Sequence, residues 1–483
     1  MHDMISRPPE AAKNIATSRV VLLLLVVMTG IAPISLYMLV PALPVLATNF
    51  GSDISIAQMT VSLYMVGIAL SQLIMGPLSD RFGRRPVLLG GLALMVAASI
   101  ACIFAQNLPQ LIAARFFQAL GGAAGMVVSR AIIRDIYERD RVASMISLVI
   151  AALMIGQMVS PLTGGLIETA FGWRAIFYAI TIAAIVVAVG IAVALPETRR
   201  SRAAGSGFRG DVGMLIRNRA FVGYVMCQVL ASQIIFTFAG GGPYIVVTQM
   251  GRTSAEYGAW FATTGFAYLV GNLLCVRFAP RHSLEKLIWF GLGLQLCGSL
   301  LNLLWSFTGW NEAPAWLFGT QMIVMVGNAF VMANSAAGAI SIRPEAAGTA
   351  SGAMGFLQQG IGALMSQFGA YLGGHSATTL PLTSAVLAIS LLCACTMIFV
   401  VPRREVTVSE TLIEKAEEEE TGMMELSVER RPLQHPQCHP PRRRGIQYSR
   451  DAERIRPRGS LQIPPGVVSQ IPPPARQDKG LLV

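Results

Sequence analysis

GPLSDRFGRRP, residues 76–86, lies between SIAQMTVSLYMVGIALSQLIM (55–75) and VLLGGLALMVAASIACIFA (87–105). Neither flank carries a charge, yet the turn packs one carboxylate and three arginines. Gly76 and Pro77 suit the end of one helix, and Pro86 suits the first turn of the next. Apolar runs of about 20 residues cross a bilayer core, where charge is costly. The stretch therefore reads as a membrane hairpin with a charged turn at the water interface. Asp80 is expected against a neighbouring helix N-terminus, where the macrodipole favours a carboxylate. Arg81, Arg84 and Arg85 are expected to meet lipid phosphates or acids of an adjoining turn, such as Asp135 and Glu138.

The rest of the chain repeats this pattern. Of 483 residues, 53% are hydrophobic and 13% charged, against about 25% charged in a typical soluble domain. Twelve candidate spans lie near 19–39, 56–78, 87–106, 108–131, 142–167, 173–196, 219–247, 256–278, 287–308, 314–340, 349–372 and 380–401. The first run is long enough to span and reads as a membrane helix, not a cleaved leader. The fold class expected is an all-α membrane protein.

Net charge is +11, and its placement sets the topology. Arginine and lysine crowd alternate loops: Lys13 and Arg19, then Arg81, Arg84 and Arg85, then Arg134, Arg139 and Arg141, then the run from Arg199 to Arg219. Among the opposite loops, Arg174 and Arg252 stand alone. The positive-inside rule puts both termini in the cytoplasm of a multi-pass protein of the cell (inner) membrane. The basic excess needs no nucleic-acid partner. Six of the seven cysteines fall in spans, where they read as small apolar residues. His435, Cys438 and His439 lack a fourth metal ligand, so neither metal nor cofactor is expected.

PETRRSRAAGSGFRGDVGMLIRNR (196–219) divides the spans six and six. The organisation expected is a segment 1–18, a six-helix bundle 19–196, a cytoplasmic loop 197–218, a second bundle 219–401 and a proline- and charge-rich disordered tail 402–483. The halves echo weakly, 126–147 with 338–356 and 76–85 with 276–286, which suggests two parallel repeats around a midplane site.

Three motifs carry a resemblance. Gly76, Leu78, Asp80, Arg81, Gly83, Arg84 and Arg85 match every required position of G-x-L-x-D-R-x-G-R-R/K, between spans two and three. LIAARFFQALGGAA (111–124) supplies a fourth-span pattern through Leu111, Arg115, Gln118, Gly121 and Gly122. GQMVSPLTGG (156–165) supplies a fifth-span pattern through Gly156, Pro161, Gly164 and Gly165, with Ser160 at its internal glycine. Residues 19–401 thus resemble the major facilitator superfamily. With PALP at 41–44, WRAIF at 173–177 and LPETR at 195–199, they resemble its bicyclomycin/chloramphenicol branch of twelve-span drug:proton antiporters. The resemblance implies two pseudo-symmetric six-helix bundles, export by alternating access and proton antiport. It also implies a gating latch at Gly76, Asp80, Arg81, Gly83, Arg84 and Arg85.

Arg115 sits inside a span, where such residues face a cavity or a partner. With Gln118, Gly122, Gly125 and Ser129 it forms one helical face. Arg115 and Gln118 are therefore expected to look into the cavity, in substrate binding or coupling, and pairing of Arg115 with backbone carbonyls is the structural alternative. Where the branch commonly carries an aspartate, this chain has Tyr37. A cavity with an arginine and no acid favours neutral, zwitterionic or weakly anionic amphiphiles. Further cavity candidates are Tyr64, Gln157, Gln228, Gln233, Phe236, Asn272, Asn328, Gln358 and Gln359. Glycines at 348, 352, 355, 362, 369 and 373 give the eleventh span a small-residue seam for close packing.

The expected partners are a small-molecule substrate, protons and the lipid bilayer, and the expected state is a monomer. An importer or uncoupled facilitator is the nearest alternative, and a membrane sensor signalling through the tail is a further one. No nucleotide loop or nucleophile–base pair points to an enzyme.

Overall fold

The computed structural model describes residues 19–137, 139–198, 217–308, 313–342 and 347–401. The N-terminal segment, Glu138, most of the central loop and the tail with His435, Cys438 and His439, for which expectations are given above, lie outside these residues.

Among the described residues, twelve helical spans follow one another. The first runs Arg19–Leu39, tightens into a 3₁₀ turn at Val40–Ala42 and continues as Leu43–Asn49. Pro41 and Pro44 each lack an N–H donor there, which breaks the regular ladder. Next come Ile54–Phe82 and Arg84–Ile103, then a fourth span of two pieces, Leu108–Gly122 and Ala124–Ile136. Arg139–Phe171 and Trp173–Ala194 complete the first half. The second half holds Arg219–Pro243 with a π-turn at Tyr244–Gln249, then Ser254–Phe278, Leu284–Thr308, Pro314–Ile342, Ala347–Gly374 and Leu380–Phe399. Among the described residues, eleven spans are long and apolar enough to cross a membrane. The other, Ala347–Gly374, has 28 residues dominated by small and polar side chains.

Starts are set by side-chain caps. Asp53, Asn107, Asn218 and Thr253 each accept a backbone N–H two or three residues on, which satisfies donors that the helix cannot pair itself. Outward-facing Leu23, Ile182, Val189, Leu273, Val276 and Leu364 are exposed. An apolar perimeter of this kind is stable only with lipid as solvent.

The halves repeat one packing device. In the first, Gly91 and Gly121 bring spans three and four together so closely that a Cβ on Gly91 would lie 2.8 Å from the Gly121 oxygen. In the second, Gly291 and Gly327 do the same for spans nine and ten, at 2.7 Å. GLALMVAAS (91–99) and GLGLQLCGS (291–299) carry the matched sequence. This is a clearer echo than the two named above. Between halves, the second span packs on the eleventh and the fifth on the eighth. The eleventh span's seam also meets the seventh: a Cβ on Gly369 or Gly373 would overlap the Thr237 or Gly241 carbonyl.

Candidate functional site: a central cavity between the halves

The cavity has a volume of about 410 Å³, within the usual range for a small-molecule pocket. Tyr37, Gln157, Gln228, Phe236, Asn328, Gln358 and Gln359 stand on its wall, joined by Gln72, Phe261 and Tyr268. Tyr37 and Phe261 face each other across the halves with ring centroids 6.2 Å apart. Gln228 Oε1 and Gln359 Oε1 are buried without a hydrogen-bond partner among the described residues. Among the described residues no Asp or Glu lines the wall. Its charged residue is Arg130, which sequence reasoning passed over because it lies near the end of the fourth span, in RAIIRD (130–135).

The cavity reaches toward the arginine-rich face, through Arg130, Ile133, Ile146, Ile340 and Ser351 at the ends of their spans. The opposite face is sealed. A Cβ on Gly165 would overlap the Ser254 carbonyl oxygen, and one on Gly258 would overlap that of Pro161, so spans five and eight touch backbone to backbone. Gln58 Nε2 donates to Ser366 Oγ at 2.7 Å, Ser62 Oγ to Gln367 Oε1 at 3.0 Å, and Gln367 Nε2 to the Ser55 carbonyl at 2.6 Å. Tyr244 Oη donates to the Ile54 carbonyl at 3.3 Å. Gly164 approaches the Met38 backbone within the first half, and Gly156 packs on Ile34. The fifth span runs through Pro161 as one helix, Arg139–Phe171.

Arg115 lies off this wall, contrary to the expectation. It is fully buried within the first bundle, where Nη1 donates to Ser35 Oγ at 3.0 Å and to Gln118 Oε1 at 2.6 Å. Its guanidinium stacks 3.9 Å above the Tyr64 ring. Gln118 Nε2 passes the network to Ser99 Oγ at 2.7 Å, and Tyr64 Oη donates to the Ala32 carbonyl at 2.9 Å. Gln118 and Tyr64 are thus also absent from the wall. The face they share with Gly122, Gly125 and Ser129 is an antiparallel zipper against the first span: Arg115 meets Ser35, Gly122 meets Ala32, Gly125 meets Met28 and Ser129 accepts from Thr29 at 2.8 Å. A helical wheel cannot tell a zipper within a bundle from a cavity wall. Gln233 and Asn272 likewise turn away. Gln233 Nε2 donates to the Val229 carbonyl at 2.7 Å and Asn272 Nδ2 to that of Tyr268 at 2.9 Å.

In the arginine-rich turn, Arg84 is the hub. Nη1 donates to Asp80 Oδ1 at 2.5 Å and Ser79 Oγ at 2.7 Å, while Nε reaches Asp135 Oδ2 at 3.2 Å. Arg85 Nη2 donates to the Ala192 carbonyl, and Arg81 lies 5.3 Å from the Phe82 ring centroid. The helix N-terminus assigned to Asp80 is occupied instead by Glu197, whose oxygens accept the backbone N–H groups of Arg84 at 2.9 Å and Arg85 at 3.1 Å. Asp80 is drawn away because its partner Arg84 lies four residues on, on the same side of the turn. Gly83 is required twice: its φ is +101°, and a Cβ would fall 2.6 Å from Glu197 Oε2. Gly76 is under no such pressure, for a Cβ there would meet only Val127 at 3.8 Å. The bonds described for Arg84 and Arg85 all stay inside the first half.

Two six-helix halves, joined at one face and parted around a cavity at the other, define a membrane transporter. The chain belongs to the Major Facilitator Superfamily, whose profile matches residues 25–367. It is 29% identical to the multidrug resistance protein MdtL of Escherichia coli O157:H7, over 79% of this chain and 95% of that one. It is 24% identical to a bicyclomycin resistance protein homolog of Haemophilus influenzae, over 77% and 94%. Against the chloramphenicol resistance protein of Pseudomonas aeruginosa the identity is 28%, over 61% and 72%. A D-xylose-proton symporter superposes with a TM-score of 0.64 at 15% identity, covering 80% of this chain and 99% of that one. A bacterial homolog of the lysosomal transporter Spinster, inward-facing and unoccupied, gives 0.60 at 15% identity, over 82% and 96%.

Proposed function

We propose that the protein exports small amphiphilic drugs or metabolites across the cell inner membrane by alternating access, in exchange for protons. The arginine-rich face is taken as cytoplasmic, following the placement of basic loops. The observation that carries this reading is the pairing of a cavity open toward that face with a tight seal at the other. A substrate entering from the cytoplasm would find Tyr37, Phe236, Phe261 and Tyr268 for its apolar body and amides for its polar groups. Rocking of the halves would then close the arginine-rich end and open the seal. In this scheme Asp80, Arg81, Arg84 and Arg85 stabilise the alternate state, and they are held ready inside the first half while the cytoplasmic end is open. Arg115, stacked on Tyr64 and hydrogen-bonded to Gln118, would act in coupling from behind the wall.

Tyr37 and the acid-free wall favour a second reading, an uncoupled facilitator. Proteoliposomes under an imposed pH gradient decide between them. A proton antiporter concentrates substrate against its gradient when protons run the opposite way. A facilitator equilibrates substrate and moves no protons with it.

A further inference from the structure

We propose that the transported molecule is an organic anion and that Arg130 holds its charge. The proposal rests on the central cavity being the transport site.

Arg130 stands six residues before the end of the fourth span at Ile136, about 9 Å along the helix axis. It is half-buried on the cavity wall. Its Nε donates to the Met126 carbonyl at 3.1 Å, which fixes the plane of the guanidinium. Nη1 and Nη2 have no hydrogen-bond partner among the described residues. The nearby Asp135 is engaged by Arg84 at 3.2 Å, and among the described residues none on the wall is acidic. Arg134, one turn further and exposed at the same end, adds to the positive field at the entrance.

A guanidinium in a site partly screened from water, with both Nη groups unspent among the described residues, is an incomplete arrangement. Charge inside a span carries a desolvation penalty that a partner must offset. Of the groups that can do so, a carboxylate or a similar oxyanion fits the planar fork best, by accepting two parallel N–H bonds. The rest of the wall specifies the rest of the molecule. Tyr37, Phe236, Phe261 and Tyr268 offer surface for an apolar or aromatic body, and Gln228 Oε1 and Gln359 Oε1 are orphaned acceptors for a neutral donor. Permanent cations meet no compensating charge here. Arg130 therefore acts as a specificity-determining residue.

The test is equilibrium binding to the purified full chain in lipid nanodiscs, with probes that differ in one group. 4-Phenylbutyrate is compared with 4-phenylbutyramide, 2-naphthylacetate with 2-naphthylacetamide, and phenyltrimethylammonium serves as the cation. In the wild type the carboxylate of at least one pair should bind about tenfold tighter than its amide. Arg130→Gln, and Arg130→Ala as the second neutral variant, should bring the pair to equal affinity while the amide binds as before. Arg130→Lys should keep part of the preference. Equal binding of both pairs by the wild type, a preference that survives Arg130→Gln and Arg130→Ala, tighter binding of the cation, or no binding of any probe would each overturn the proposal. A carboxylate preference without flux under a pH gradient would defeat proton-driven export and leave the anion site standing.

Discussion

His375 of the second half presents Nε2 to Asp53 Oδ2 of the first at 3.6 Å, on the sealed face. Nδ1 of the same ring lies 3.2 Å from the Tyr371 carbonyl, so both ring nitrogens look at oxygen. A neutral imidazole has one N–H and can donate to only one of them. Asp53 also accepts the Ser55 N–H at 2.7 Å, and that backbone bond is the main reason its carboxyl is held below the usual 3.8. A depressed carboxyl contributes stability that is present above its unfolded value and lost as pH falls through its folded value. Asp53 therefore keeps its charge at a lower pH than a free carboxylate would, and its contact with His375 links the two halves on the sealed face. Removing either group should therefore loosen the seal. Both groups are largely exposed, so the shift should be modest, about threefold in the open-to-closed ratio. Cysteine accessibility at the seal, compared with and without His375→Ala and Asp53→Asn, checks it.

Glu197 caps the third span from outside its own helix. Glu197→Gln should lower stability by about 1 kcal/mol by weakening the acceptor for two backbone donors at a positive helix end. Thermal unfolding in detergent measures this. Asp80→Asn leaves that cap and the Arg84–Asp135 bond in place, so it should spare insertion and folding but abolish export. Wild-type transport by Asp80→Asn would remove the turn from the gating mechanism.

Backbone contact between spans five and eight should be essential to the seal. Gly165→Leu or Gly258→Leu would place a side chain into a carbonyl of the other half. Transport should fall to background with the outer end held open. Gly293→Leu is the control, since a Cβ there meets nothing within 4 Å. Labelling of a cysteine at the seal should rise in the first two variants and not in the third.

Arg115 should separate binding from movement. Arg115→Ala removes a desolvated guanidinium–ring stack worth about 2 kcal/mol or more, and Arg115→Lys keeps the charge without the planar fork. Both should lower the melting temperature and eliminate coupled flux. Ligand affinity at the cavity should change little, because Arg115 is not on the wall. A large loss of affinity with flux otherwise intact would restore it to the binding site.

The architecture was legible because membrane thickness and charge placement leave strong one-dimensional traces. Span number, the break near 196–219 and the glycine-rich eleventh span all follow from composition. What the sequence obscured was which side of a helix faces which neighbour. Arg115, Gln118 and Tyr64 have the polarity of cavity residues, yet bonds among the first four spans of one bundle consume them. Arg130 has the look of one more interfacial arginine, and only the parting of the halves brings it to the wall. Glu197 was hidden by distance, since its partners lie more than a hundred residues earlier. The α-helix of the first span ends at Leu39, as its apolar run suggests, and the chain continues past Pro41 and Pro44 through a 3₁₀ turn and a short helix to Asn49.

The central claim is that the halves rock about the substrate cavity, so that one end closes as the other opens. Electron-spin distance measurements test it most directly, with the native cysteines replaced and labels at Phe82 and Phe278 near the arginine-rich face, or at Phe171 and Ala377 on the sealed face. Protonation and a transported compound should shift the two distance distributions in opposite directions. Distances that stay fixed, or that lengthen and shorten together, would contradict alternating access.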